Sequence, residues 1–181
     1  MKYFLKLILV LIVVFIFTGQ SSAETECKII MYTVTHPMKT VAGVCANPQV
    51  QGLALTKANN VISTSAFQVV VPIIGMSSGN RNRDSTMQTI LGYPAVSEWV
   101  AEIEAVSLTG SSGVLRGVLR LGTKSAPLLS EFQTSEQNGE LIVRGSMTVR
   151  LSDFQIEKPR LLLLAVDDEV KITYEFSVKA P

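Results

Sequence analysis

Apolar and polar residues alternate with a period of two along much of this chain, most cleanly near its end. Val170, Ile172, Tyr174, Phe176 and Val178 fall on one side, with Lys171, Thr173, Glu175, Ser177 and Lys179 on the other. Successive side chains of a strand point to opposite faces, so the pattern predicts a half-buried antiparallel strand. The same period runs through Leu141, Val143, Gly145, Met147, Val149 and Leu151, and again through Leu115, Gly117, Leu119 and Leu121 against Arg116 and Arg120. The stretch from Phe67 to Ile74 is rich in β-branched residues, and Ala95 to Ser107 alternates with Trp99, Ala101, Ile103 and Ala105 on one side. Lys28 to Thr35 and Gly52 to Leu55 are expected as two more strands. Turn formers at Asn59-Asn60, Gly110 to Gly113, Gln137-Asn138-Gly139 and Asp167-Asp168 separate these runs at hairpin intervals.

One stretch breaks the period. Asp84 is suited to cap a short helix over residues 84–91, Met87, Ile90 and Leu91 share a face of it, and Gly92 stops it before Tyr93-Pro94 returns the chain to extended backbone. No internal repeat or long linker divides the remainder. About eight antiparallel strands with charged outer faces must bury their apolar faces against each other, in a closed barrel or a sandwich. Closure is the expectation, because it removes exposed strand edges, and eight strands enclose an interior that side chains fill or that holds one small ligand.

Composition adds a leader and removes several partners. Lys2 and Lys6 precede an unbroken apolar run from Leu7 to Phe17, and Ser21-Ser22-Ala23 suits cleavage, so residues 1–23 are expected to be an export signal and the rest one domain, periplasmic or secreted. The apolar run is shorter than the roughly 20 residues a membrane helix needs. Loss of Lys2 and Lys6 takes the 16 basic residues to 14 against 15 acidic ones, a formal charge of −1. The remaining basic residues are scattered singly, which argues against a nucleic-acid partner. Cys27 and Cys45 are candidates for a disulfide in an oxidising compartment, with two free buried thiols as the alternative.

The inward positions are almost wholly carbon. Phe67, Val69, Val71, Trp99, Ile103, Leu115, Leu119, Val143, Met147, Ile172, Tyr174 and Phe176 are the candidate lining, and such a wall favours a hydrocarbon at about 0.8 kcal/mol per methylene. Ordinary core packing explains the same periodicity. Gly117 and Gly145 each omit an inward side chain, leaving either a gap for a ligand chain or a place where a curved strand bends. Arg81, Arg83 and Asp84 are candidates to receive a ligand head group, or else to pin the helix to its neighbouring loop. Leu161 to Leu164 is either a cap on one end of the barrel or an exposed patch for transient membrane or partner contact. Catalysis has little support: His36 is the only histidine, no Gly-x-Ser-x-Gly elbow occurs, and neither a metal site nor a cofactor is expected.

The segment Ser77-Ser78-Gly79-Asn80, then Arg83-Asp84, Met87 and Tyr93-Pro94, resembles a motif of the YceI-like family of secreted, lipocalin-type barrels. Ser152-Asp153-Phe154-Gln155-Ile156 is similar to that family's Ser-Asp-Phe-Gly-Ile, and Asp168 to Ile172 leads into the final strand as it does there. His36-Pro37 and Gly43 resemble the opening strand and turn of one branch. Two departures are the absence of histidine from Leu121 to Pro127 and Gln155 in place of a glycine. The resemblance implies a lipocalin-like barrel that holds a polyisoprenoid, quinone-type lipid or similar long amphiphile without catalysis. A filled barrel serving as an envelope structural or stress-related interaction module is the competing reading, and the oligomeric state, a homodimer included, is open.

Overall fold

Hairpins between neighbouring strands build nearly the whole molecule. The structure, a computed structural model, describes residues 25–161 and 163–179, with side chains from Ile30 onward and without that of Leu161. The leader expected over residues 1–23 lies outside the described residues.

The chain opens with β1 (Thr25–His36), β2 (Lys39–Cys45) and β3 (Gln49–Gln51), then β4 (Leu55–Ala58), β5 (Val61–Thr64), β6 (Phe67–Pro72) and β7 (Met76–Ser77). Helix α1 (Arg81–Ile90) follows, then β8 (Glu98–Ile103), β9 (Ser107–Thr109), β10 (Ser112–Leu121), β11 (Lys124–Gln137) and β12 (Glu140–Arg150). The small hairpin of β13 (Arg160–Leu161) and β14 (Leu164–Ala165) precedes the last strand, β15 (Glu169–Lys179). Two-residue turns at Asn59-Asn60 and Asn138-Gly139 have positive φ at both positions, the backbone that asparagine and glycine adopt at least cost.

Ten segments form the main sheet, in the order β3-β6-β8-β10-β11-β12-β15-β1-β2-β7. Its two ends are continuations of strands already in it. β3 prolongs β2 across Ala46–Pro48, and β7 prolongs β6 across a 3-10 turn at Ile73–Gly75. The two prolonged strands run beside each other: Val44 pairs with Ser77, Cys45 with Met76, and Val50 with Val69, while the Ala46 amide donates to the Gly75 carbonyl at 2.8 Å. Ten segments thus trace eight strand paths, and the sheet returns on itself as an antiparallel barrel. This is the all-β barrel expected from the alternation, and the lipocalin-like architecture that the resemblance implies. A three-stranded sheet of β4, β5 and β9 lies outside this circuit.

Several boundaries differ from expectation. Gly52 sits in a left-handed turn rather than a strand, and the strand expected from Ala95 begins only at Glu98. Helix α1 starts at Arg81 because Asn80 caps it, its side chain accepting from the Arg83 amide at 3.1 Å, so Asp84 is left free for another role. Strand β11 was not expected at all. Its Pro127 faces outward, and the β11–β12 ladder begins only at Glu131, so proline deprives that ladder of no donor.

Candidate ligand cavity

The barrel is hollow. A cavity of about 620 Å³ lies inside it, within the range of roughly 300–1,000 Å³ usual for small-molecule sites. Inward side chains of the barrel supply the wall: Phe67, Val69 and Val71 from β6, Trp99 and Ile103 from β8, Leu115 and Leu119 from β10, Met147 from β12, and Ile172, Tyr174 and Phe176 from β15. The expected lining therefore converges on one space. Residues not anticipated add to it, among them Ile30, Tyr32 and Val34 of β1, Leu128 and Ser130 of β11, and Met87 and Ile90 of α1 with Leu91 at its C-cap, an apolar face that lies over the barrel end. The helix residues carry a sequence signal in their shared face, and Ile30, Tyr32 and Val34 carry one in their alternation.

The two ends differ. At one, Leu53, Leu55, Ile62 and Leu108, from the β4–β5–β9 sheet and the chain leading into it, cover a second space of about 70 Å³. Val143, expected in the main wall, lines this smaller space instead. Phe67, Leu115 and Phe176 border both cavities and so form the floor of the larger one. The Tyr174 and Phe176 rings pack at 5.2 Å between centroids.

Neither expected glycine gap is available to a ligand. A Cβ on Gly145 would collide with the Tyr174 ring and lie 2.7 Å from the Glu131 carbonyl oxygen, so the ring occupies the space the missing side chain leaves. On Gly117 a Cβ would run into the Glu102 carbonyl and stand 3.1 Å from the Ile103 Cα, so this glycine permits close strand approach. Tyr32 covers Gly43 as Tyr174 covers Gly145, each pair directly opposite across a ladder. The two hydroxyls fare differently. Ser130 Oγ donates to the Ser146 carbonyl at 2.9 Å and accepts from the Tyr174 hydroxyl at 2.8 Å. The buried Tyr32 hydroxyl has no hydrogen-bond partner among the described residues. Burial, then the nearby Asp84 charge, push the Tyr32 phenol up to about 12, and burial also raises Tyr174.

The open end is ringed by α1, the β1–β2 hairpin and the β13–β14 hairpin, whose Asn82, Thr86, Lys39 and Arg160 line the cavity while remaining exposed. Of the head-group candidates, Arg83 lines the cavity, Arg81 is exposed and not part of its lining, and Asp84 acts as a latch. Asp84 accepts from the Ser78 amide at 2.8 Å, from the Ser78 hydroxyl, and from the Ser77 hydroxyl at 3.0 Å. Arg83 donates to Ser78 Oγ at 2.7 Å and to the Ser78 carbonyl at 2.9 Å. Desolvation works to raise the Asp84 carboxyl, but the Ser78 and Ser77 bonds and the Arg83 charge outweigh it and hold the group below the usual carboxylate range. Across the mouth, His36 is buried between two hairpins. Its Nδ1 accepts from the Met38 amide at 3.1 Å, which leaves the proton on Nε2 to donate to the Leu164 carbonyl at 3.2 Å. The leucine run divides accordingly: its flanks Pro159, Arg160 and Val166 border the cavity, while Leu163 is 90% exposed at the hairpin tip.

The Cys27–Cys45 disulfide is not formed. Cys45 stands opposite Ile30, three residues along β1 from Cys27, a displacement of roughly 10 Å against the ~7 Å that a disulfide spans between Cα atoms. Its thiol is free and lines the cavity, and burial pushes it up to about 11.

The sequence matches the YceI-like domain over residues 19–178. The chain belongs to the YceI-like family. No curated protein matches the sequence. Solved structures of similar fold include Burkholderia cenocepacia BcnA, at 12% identity with a TM-score of 0.67, covering 82% of this chain and 94% of that one. A polyisoprenoid-binding domain from Saccharophagus degradans, implicated in plant cell wall breakdown, gives 10% identity and a TM-score of 0.65, covering 88% of this chain and 99% of the other. The YCEI protein of Campylobacter jejuni gives 12% identity and a TM-score of 0.61, covering 79% and 86%. Within this YceI-like chain, Gln155 ends the 3-10 turn at Leu151–Phe154 in the left-handed conformation, φ 52°, which accounts for glycine at the matching position of the family motif.

Proposed function

We propose that this YceI-like protein is an exported, non-catalytic carrier that holds the chain of a polyisoprenoid or similar long amphiphile in its barrel, with the head group at the ring of α1 and the two hairpins. One observation carries the reading: a cavity of about 620 Å³ with a carbon wall, floored at one end and opening at the other past Lys39, Arg83 and Arg160. Each methylene that enters gains about 0.8 kcal/mol, offset in part by the ordering of the chain. The polyisoprenoid-binding description of the Saccharophagus degradans domain supports the choice of ligand class. Export is inferred from Lys2, Lys6, the apolar run to Phe17 and Ser21-Ser22-Ala23.

The test is organic extraction of protein purified from its native host, followed by mass spectrometry. A long-chain lipid recovered at near one per protein is the expected result. Protein that reaches the periplasm or medium yet yields no lipid would refute carriage.

A further inference from the structure

The cavity opens between apolar tips that serve no core. Leu163 is 90% exposed, Met38 62% and Leu164 45%, and Leu163 holds a left-handed backbone, φ 73°, that displays its side chain to water. These residues come from hairpins far apart in sequence, yet one ring joins them: His36 takes the Met38 amide on Nδ1 and gives its Nε2 proton to the Leu164 carbonyl. The Asp167 amide donates to the Thr35 carbonyl at 2.8 Å and ties the same hairpins a second time. The tips are thus held side by side at the lip of a hydrocarbon-lined opening.

The charged side chains that line the cavity here, Lys39, Arg83 and Arg160, have one sign, and among the described residues no carboxylate lines it; Asp84, on the same helix as Arg83, is turned to Ser77 and Ser78. Arg83 is engaged by Ser78, whereas Lys39 and Arg160 have no ion-pair partner among the described residues. Of the nearby acids, Asp168 is occupied by the Ser152 amide and hydroxyl at 3.1 and 2.6 Å, and neither Glu157 nor Asp167 enters the lining.

We propose that this end of the barrel docks on a membrane surface containing anionic lipid, with Met38, Leu163 and Leu164 entering the interface and Lys39 and Arg160 against the head groups. Aliphatic tips flanked by cations are the combination that partitions into such an interface. A bilayer is the occupant that fits, because it offers hydrocarbon chains directly to the opening that the tips surround. The inference rests on the reading of the cavity as a lipid site.

The experiment is co-flotation of the processed protein with vesicles of phosphatidylcholine alone and of phosphatidylcholine with phosphatidylglycerol. Binding is expected to the anionic vesicles and to weaken as salt rises. Lys39→Gln and Arg160→Gln should each lower partitioning roughly fivefold, and Leu163→Asp should lower it further. Leu163 is a surface residue whose backbone aspartate tolerates, and a thermal melt of each variant checks folding. Wild-type protein that carries extractable lipid but ignores anionic vesicles overturns docking and leaves the carrier reading intact. Vesicle binding by a protein empty of lipid would do the reverse. Equal binding to both vesicle types, or wild-type binding by Leu163→Asp, also overturns the proposal.

Discussion

Tyr32 and Tyr174 lie over Gly43 and Gly145 in the same way, yet only Tyr174 has a use for its hydroxyl. Tyr174→Phe should therefore cost about 1 kcal/mol in denaturant unfolding, whereas Tyr32→Phe should be neutral or stabilising, because a buried hydroxyl without a partner lowers stability. The two variants should also part in alkali. With its phenol raised to about 12, folded Tyr32 keeps its proton more tightly than the unfolded chain. Its contribution is complete below the ordinary value of 10.0 and declines as pH rises toward 12, and Tyr32→Phe should flatten that part of the stability profile. Much at this scale is legible in the sequence: alternation alone marks the faces of β6, β8, β10 and β15 that line the cavity. What alternation conveys at Gly145 is that a side chain is missing, not what takes its place. The occupant belongs to another strand, and only the ladder register brings it there.

Helix α1 depends on a short latch rather than on burial along its length. Asp84 gathers Ser77 and Ser78, and Arg83 closes over Ser78 from the other side. Hydrogen bonds to a charged group are worth about 1.5–3 kcal/mol, and exposure of this one reduces the expected cost of Asp84→Asn to about 1 kcal/mol. Because the carboxyl is held below its usual range, its contribution is present above about pH 4 and is lost as pH falls through the lowered value. Acid unfolding of Asp84→Asn should be correspondingly less steep, and amide exchange over Arg81–Ile90 should quicken. The sequence announced this helix through Met87, Ile90, Leu91 and the Gly92 stop. Its start was misplaced because Asn80 and Asp84 are both good caps, and the choice between them depends on where Ser77 and Ser78 lie. Strand β11 stayed hidden for a related reason, since Pro127 reads as a strand breaker until the neighbouring ladder is seen to begin beyond it.

At the scale of the molecule, the space inside the barrel is the feature to challenge. Ala101 faces Leu119 and Val69 across its ladders and borders the cavity. Ala101→Phe should place a ring in the void, keep the fold, and reduce retained lipid at least about tenfold, a loss of ~1.4 kcal/mol in binding. Trp99, the only tryptophan in the chain, lines the same space against Phe154 at 4.9 Å, so its fluorescence should respond to filling in the wild type and not in the variant. Closure into a barrel was foreseeable from charged outer faces and the cost of open edges. Its route was not, because the two strands that close it are each interrupted, at Ala46–Pro48 and at Ile73–Gly75. The floor of Phe67, Leu115 and Phe176 has a consequence for cargo of different lengths. A shaft with a dead end works as a gauge: a short tail leaves a void beneath it, a longer one must coil or protrude, and affinity should peak where depth and tail agree.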